Sequence, residues 1–329
     1  MDYAEIETYA KALGFAQIGV CSTELFEKQM DTVNAQPELK ERRQLRFDPL
    51  VEYPWAQAIL VLLWPYQQAA MTNDGRTVFV DSYYEASNLA YQAGRKLEEM
   101  LCRAGSMAKA NVAYPAKAAA IRAGLGVIGD HGLLITPEYG TRVVIILLVT
   151  DAFSPKHEGM HSMGSCMHCG KCAKACPVGA IDQDGMMHPE RCLRNYMMEG
   201  VLVPEEKREL MGMKLIGCDI CQRVCPMQQK VDAEQSYAFT LDDFMDDEEQ
   251  TFKESVLRLG NLIGKNVARP QRVRAQAALI AGNGGNEKDI HVLREWENSE
   301  SEAVREHARW AINQIERHMQ GIDQSDEKR

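Results

Sequence analysis

Eight cysteines crowd the stretch from Cys166 to Cys225, and only Cys21 and Cys102 lie elsewhere in the 329-residue chain. No other feature constrains the fold as much, because thiolates at fixed spacing dictate how the backbone around them turns. In "GSCMHCGKCAKACPVGAI", Cys166, Cys169 and Cys172 follow at two-residue gaps and the run ends in Cys176-Pro177. In "KLIGCDICQRVCPM", Cys218, Cys221 and Cys225-Pro226 keep the last three positions, but Leu215 stands where a first cysteine would be.

Three thiolates two residues apart can each take one corner of an iron–sulfur cubane. The fourth, before proline, is carried by the turn to a neighbouring cluster, as in two-cluster ferredoxins. Zinc also uses C-x2-C pairs, but rarely three thiolates at successive x2 gaps followed by Cys-Pro. The exchange predicts one [4Fe–4S] cluster on Cys166, Cys169, Cys172 and Cys225. It leaves the other with Cys176, Cys218 and Cys221, one ligand short. Cys192, in "HPERCLRNY", is the unassigned cysteine of the region and is expected to complete it; the alternative is a buried core cysteine.

Clustered thiols imply metal only in a reducing compartment. The opening "MDYAEIETYAKALGF" lacks the basic and apolar segments of a secretory signal. "AILVLLW" and "VVIILLV" are too short to span a bilayer. The expectation is therefore a cytoplasmic chain with no membrane partner. A net charge of -10 argues against a broad nucleic-acid footprint.

The remaining sequence reads as a mixed α+β protein. Residues 2–13 suit a helix capped by Asp2 and ended by Gly14, and "FAQIGVC" follows as a strand. A helical stretch is expected around "ELKERRQLRF". "AQAILVLLW", "GLLITP" and "RVVIILLVTD" read as strands, and "SYYEASNLAYQAGRKLEEMLCRAG" and "PAKAAAIRAG" as helices. "DDFMDDEEQTFKES" reads as an acidic linker or solvated turn, and "QGIDQSDEKR" as a frayed end. Residues 272–283 and 303–314 match at a spacing of 31, with Ala277/Ala308 and Leu279/Trp310 in register, the pattern of stacked helical hairpins. The expected units are an α/β domain over 1–155, a double-cluster domain over 156–232 and an α-helical, HEAT-like tail over 233–329.

Other residues need separate readings. His157, His161 and His168 have no obvious third ligand and read as surface histidines. Gly124, Gly126 and Gly129 spell G-x-G-x-x-G, but a helix precedes them and a strand follows, the reverse of a dinucleotide fingerprint. They still require tight turning or a close approach there.

With these residues in place, the chain resembles the epoxyqueuosine reductase family, double-cluster cobalamin enzymes related to reductive dehalogenases. The likeness rests on "IETYAKALGFAQIGV", "RAGLGVIGDHGLLITPEYG", "CMHCGKCAKACPVGAI" and "GCDICQRVCP". The resemblance implies a corrinoid in the N-terminal domain, lying against Gly124, Gly126, Gly129, Asp130 and His131. It also implies electrons relayed by the two clusters from a low-potential donor such as ferredoxin or flavodoxin. The family's proton-donating aspartate, however, precedes the AGLG loop, and here no Asp or Glu occurs from Leu101 to Gly129. Tyr114, Tyr83, Tyr84, Asp130 and His131 are the alternative proton donors. That departure, with the acidic charge, leads to a reductase of an organic small molecule rather than of tRNA. The alternatives are a true epoxyqueuosine reductase acting on tRNA, and an electron-transfer or corrinoid-reactivating protein with no substrate of its own.

Overall fold

The computed structural model describes residues 2–35, 46–69, 75–154, 165–228, 239–246 and 248–321. The helix expected around "ELKERRQLRF", the frayed end, His157 and His161 lie wholly or largely outside these residues.

The architecture is mixed α/β. Helix α1 (Tyr3–Ala12) starts where Asp2 accepts from the Glu5 N–H while the Glu5 carboxylate accepts from the Asp2 N–H, a reciprocal capping box. Strands β1 (Gln17–Cys21), β2 (Ala58–Pro65), β7 (Val143–Thr150) and β4 (Ala108–Ala110) form one antiparallel sheet in the order β1-β2-β7-β4. The apolar run of β2 is continuous because both faces are covered. Ala58, Leu60 and Leu62 pack under the long helix α4 (Ser82–Arg103), while Ile59, Val61 and Leu63 pack towards α5 (Ala116–Arg122) and its neighbours. Helices α2 (Glu27–Asn34) and α3 (Pro49–Glu52) lie between β1 and β2, and the remaining short strands of this half, β5 (Val127–Ile128) and β6 (Leu134–Ile135), form a hairpin.

A second sheet is built from distant parts of the chain. Its order is β8 (Lys214–Ile216), β3 (Thr77–Val80), β9 (Phe239–Thr240), with β3 parallel to β8 and antiparallel to β9. Each of the three expected units thus contributes one strand. One hydrophobic core joins them, running from Val78, Val80 and Tyr84 through Met211 and Ile216 into the C-terminal helices. Arg76 reinforces the joint, pairing with Asp242 at 2.6 Å and with the buried Asp289 at 2.9 Å.

The C-terminal part holds α10 (Glu249–Ile263), α11 (Pro270–Gly284), α12 (Ile290–Trp296) and α13 (Glu302–Met319). The acidic stretch read as a linker is instead helical from Glu249, because its acids face solvent while Phe252 and Val256 turn into the core. The two matching segments fall on α11 and α13, which pack together so closely that a Cβ on Gly282 would stand 2.3 Å from Trp310 Cζ3.

Candidate metal centre

Between the two halves run helices α6 (Lys171–Ala175), α7 (Leu193–Glu199), α8 (Glu205–Met211) and α9 (Ile220–Arg223). Gly170, with φ of 69°, turns the chain into α6 and puts Cys172 in its first turn. Cys176 and Cys192 sit in extended backbone beside a helix end, and Cys225 follows α9 directly.

Cys166, Cys169, Cys172 and Cys225 line one recess of about 300 Å³, together with Asp130, His131, Met167 and Lys171. The other four gather separately: Cys221 lies within electrostatic reach of Cys218, Cys192 and Cys176, and the Cys192 thiol feels Cys176. Cys221 also feels Cys172, so the two groups adjoin. Burial pushes the thiols of Cys172, Cys192 and Cys225 up, takes Cys218 up to about 11 and raises Cys221 further. The Ala180 N–H donates to Cys176 Sγ at 3.3 Å, the kind of amide contact that supports a cluster sulfur. Two sets of four soft sulfur donors fit two [4Fe–4S] clusters.

The AGLG loop borders the first group. Gly124, with φ of 71°, ends α5 in left-handed backbone, and a Cβ on Gly126 would meet the Ile135 carbonyl oxygen at 2.3 Å. A Cβ on Gly129 would lie 2.8 Å from His131 Cε1. Gly126 therefore lets the β5–β6 hairpin close, and Gly129 admits the His131 ring. Asp130 reaches His168, whose Nδ1 is 2.8 Å from Asp130 Oδ1, and Cys166 joins them within 4.8 Å. His168 is exposed, as a surface histidine should be, yet tied to Asp130.

The expected proton donors scatter. Tyr114 is buried, donates to Glu52 Oε2 at 3.0 Å and is pushed up to about 12 by burial. Tyr84 is also pushed up to about 12 by burial and accepts from Arg194 Nε at 2.9 Å. Tyr83 is half-buried, edge-on to Tyr84 at 5.4 Å and to Tyr66 at 5.9 Å, with the Arg194 guanidinium above both Tyr83 and Tyr84.

Sequence reasoning missed Asp81. It caps α4 by accepting from the Tyr83 N–H at 3.0 Å, and "VDSYY" gives no more than that capping signal. Yet its carboxyl is buried and raised to about 6, first by desolvation and then by Asp219, against the opposing pull of Arg142 and Arg194. This seam ties the first sheet to the cysteine arm. Gln222 Nε2 donates to Tyr66 Oη and to the Thr141 carbonyl, and Gln228 Oε1 accepts from Thr141 Oγ1 at 2.7 Å. Asp219 pairs with Arg223 at 2.7 Å and lies 3.7 Å from Arg142.

Residues 165–228 match a family described as a 4Fe-4S double cluster binding domain. The epoxyqueuosine reductase of Bacillus subtilis is 27% identical over 249 residues, covering 69% of this chain and 64% of the relative, a little under two thirds of its length. That of Vibrio cholerae is 25% identical over 351 residues, covering 95% and 93%. Among solved structures, an epoxyqueuosine reductase with an epoxyqueuosine-modified tRNA stem loop shares the fold at a TM-score of 0.79 and 22% identity, covering 95% of this chain and 89% of that one. That complex overturns the expectation that a small molecule is the better substrate candidate: the same fold accepts tRNA, and total charge is a poor guide to one local contact face. Among the described residues, no helix is long and apolar enough to cross a membrane.

Proposed function

We propose that this chain, a relative of the epoxyqueuosine reductases in sequence and fold, is itself a reductase that removes the epoxide oxygen from epoxyqueuosine in tRNA. The observation that carries the proposal is the gathering of eight cysteines into two adjoining groups of four. Converting an epoxide to an alkene consumes two electrons and two protons and releases one water. Two [4Fe–4S] clusters, when bound, supply single-electron steps from an external one-electron reductant.

The protons must come from this chain, without the acid that the family carries before the AGLG loop. Asp81 is the substitute we assign. Burial and Asp219 hold its proton to about pH 6, at the start of α4, where it accepts from the Tyr83 N–H. Asp81 is thereby the residue that stores a proton for the reaction. Asp130 and His131 border the first cysteine group, so they serve that group rather than the substrate. Gly124, Gly126 and Gly129 would hold the corrinoid that the resemblance implies, which when bound would carry the reduction of the epoxide.

The test is complementation of a strain that accumulates epoxyqueuosine, read by nucleoside analysis of its tRNA. The native chain should restore queuosine, and Cys221→Ser should not. Full iron loading with no queuosine formed would overturn the proposal.

A further inference from the structure

One buried group in the recess of the first cysteine group has no partner among the described residues. His131 is 3% exposed, and its Nε2 is buried without a hydrogen-bond partner. Its other nitrogen is occupied: Nδ1 accepts from the Leu133 N–H at 3.2 Å. An imidazole that accepts at Nδ1 and is neutral carries its proton on Nε2. The unmatched group is therefore a donor N–H, and leaving such a donor buried and unmet is costly.

The surroundings show where that donor belongs. His131 lines the recess with Cys166, Cys169, Cys172 and Cys225. The ring is held there from behind, since Gly129 leaves room for Cε1 that any Cβ would take, at 2.8 Å. Lys117, the neighbouring cation, is turned away to the Gly132 carbonyl oxygen at 2.5 Å. A ring oriented by a backbone amide, admitted by a glycine and lining one recess with four thiols is arranged to donate.

We infer that the His131 Nε2–H donates a hydrogen bond to a sulfur of the cluster on Cys166, Cys169, Cys172 and Cys225, and thereby raises that cluster's reduction potential relative to its neighbour's. The inference rests on the double-cluster reading. A donor at a cluster sulfur stabilises the more negative, reduced state, so removing it makes reduction harder. His131 is a positioning residue in this role: it sets the potential and moves no proton.

The test uses the full chain, reconstituted without oxygen, as native protein, His131→Leu and His131→Gln. Iron and sulfide are counted first, and each cluster's midpoint is then followed by electron paramagnetic resonance during a reductive titration. With both clusters present, His131→Leu should move one midpoint to lower potential and leave the other in place, and His131→Gln, which keeps an N–H, should recover part of the shift. Unmoved midpoints, or an equal shift of both, overturn the inference while leaving the cluster reading intact. Missing iron in the native protein overturns both. Should His131→Leu not assemble, native protein with nitrogen-15 histidine decides: a histidine nitrogen coupling to one reduced cluster supports the inference, and its absence overturns it.

Discussion

His307 joins three parts of the molecule and makes stability depend on pH in a defined window. On α13 its side chain is fully buried; Nδ1–H donates to the Ala275 carbonyl of α11 at 2.9 Å, and Nε2 accepts from the Val203 N–H at 3.0 Å. Both ring nitrogens are satisfied only in the neutral form. Desolvation lowers the group from 6.5 to about 4, with Arg208 adding to the drop and the Ala275 carbonyl opposing it. A base whose folded value is depressed gives stability that is complete above its unfolded value and drains away as pH falls through the window from 6.5 to about 4. Between pH 7.5 and pH 5 the unfolded chain takes up a proton that the folded chain refuses, a loss of about 2 kcal/mol at ~1.4 kcal/mol per unit.

His307→Leu separates this effect from the rest. It leaves the Val203 N–H and the Ala275 carbonyl unmatched, at roughly 1–3 kcal/mol each, so at pH 7.5 the variant should be less stable by about 2–6 kcal/mol. At pH 5 the deficit should be smaller by about 2 kcal/mol, since the variant has nothing to protonate there. Urea unfolding followed by the fluorescence of the buried Trp296 and Trp310 reads this part of the fold directly. A deficit that is constant from pH 7.5 to pH 5, or that widens, refutes the reasoning.

Cys192→Ala should reduce bound iron from about eight to about four per chain, and unchanged iron would return Cys192 to the role of a core cysteine. Asp81→Asn should flatten the pH profile of turnover, whereas the native enzyme should lose activity as pH rises through about 6 and the stored proton departs; matching profiles would remove Asp81 from the reaction. Gly282→Ala forces a methyl against the Trp310 ring and should destabilise by roughly 1–3 kcal/mol in thermal unfolding, with iron content unchanged at moderate temperature.

The parts of this fold legible in the sequence are those whose reasons are local. Asp2 with Glu5, and Pro115 with Gly124, mark helix ends by short-range chemistry, and the apolar run of β2 announces a strand covered on both faces. Cysteine spacing is local too, so both cluster motifs stood out. Strands β3, β8 and β9 did not: each has two to four residues, and what makes them strands is a partner more than a hundred residues away or across another segment. Asp81 reads as a helix cap because the charges that act on its buried carboxyl come from Asp219, Arg142 and Arg194, which no window around residue 81 contains. The glycine loop was legible as a tight turn or close approach, and the atoms that need the room are Ile135 and His131, a few residues along the same chain.

The three-stranded sheet also sets an order of assembly. Strand β3 emerges early in synthesis, but β8 follows some 130 residues later and β9 later still. Such distant pairings close late. Until Phe239 and Thr240 have left the ribosome, the arm bearing Cys176, Cys192, Cys218 and Cys221 lacks the floor against which it settles. The molecule's own topology thus has most of the chain made before the arm that bears these four cysteines is complete.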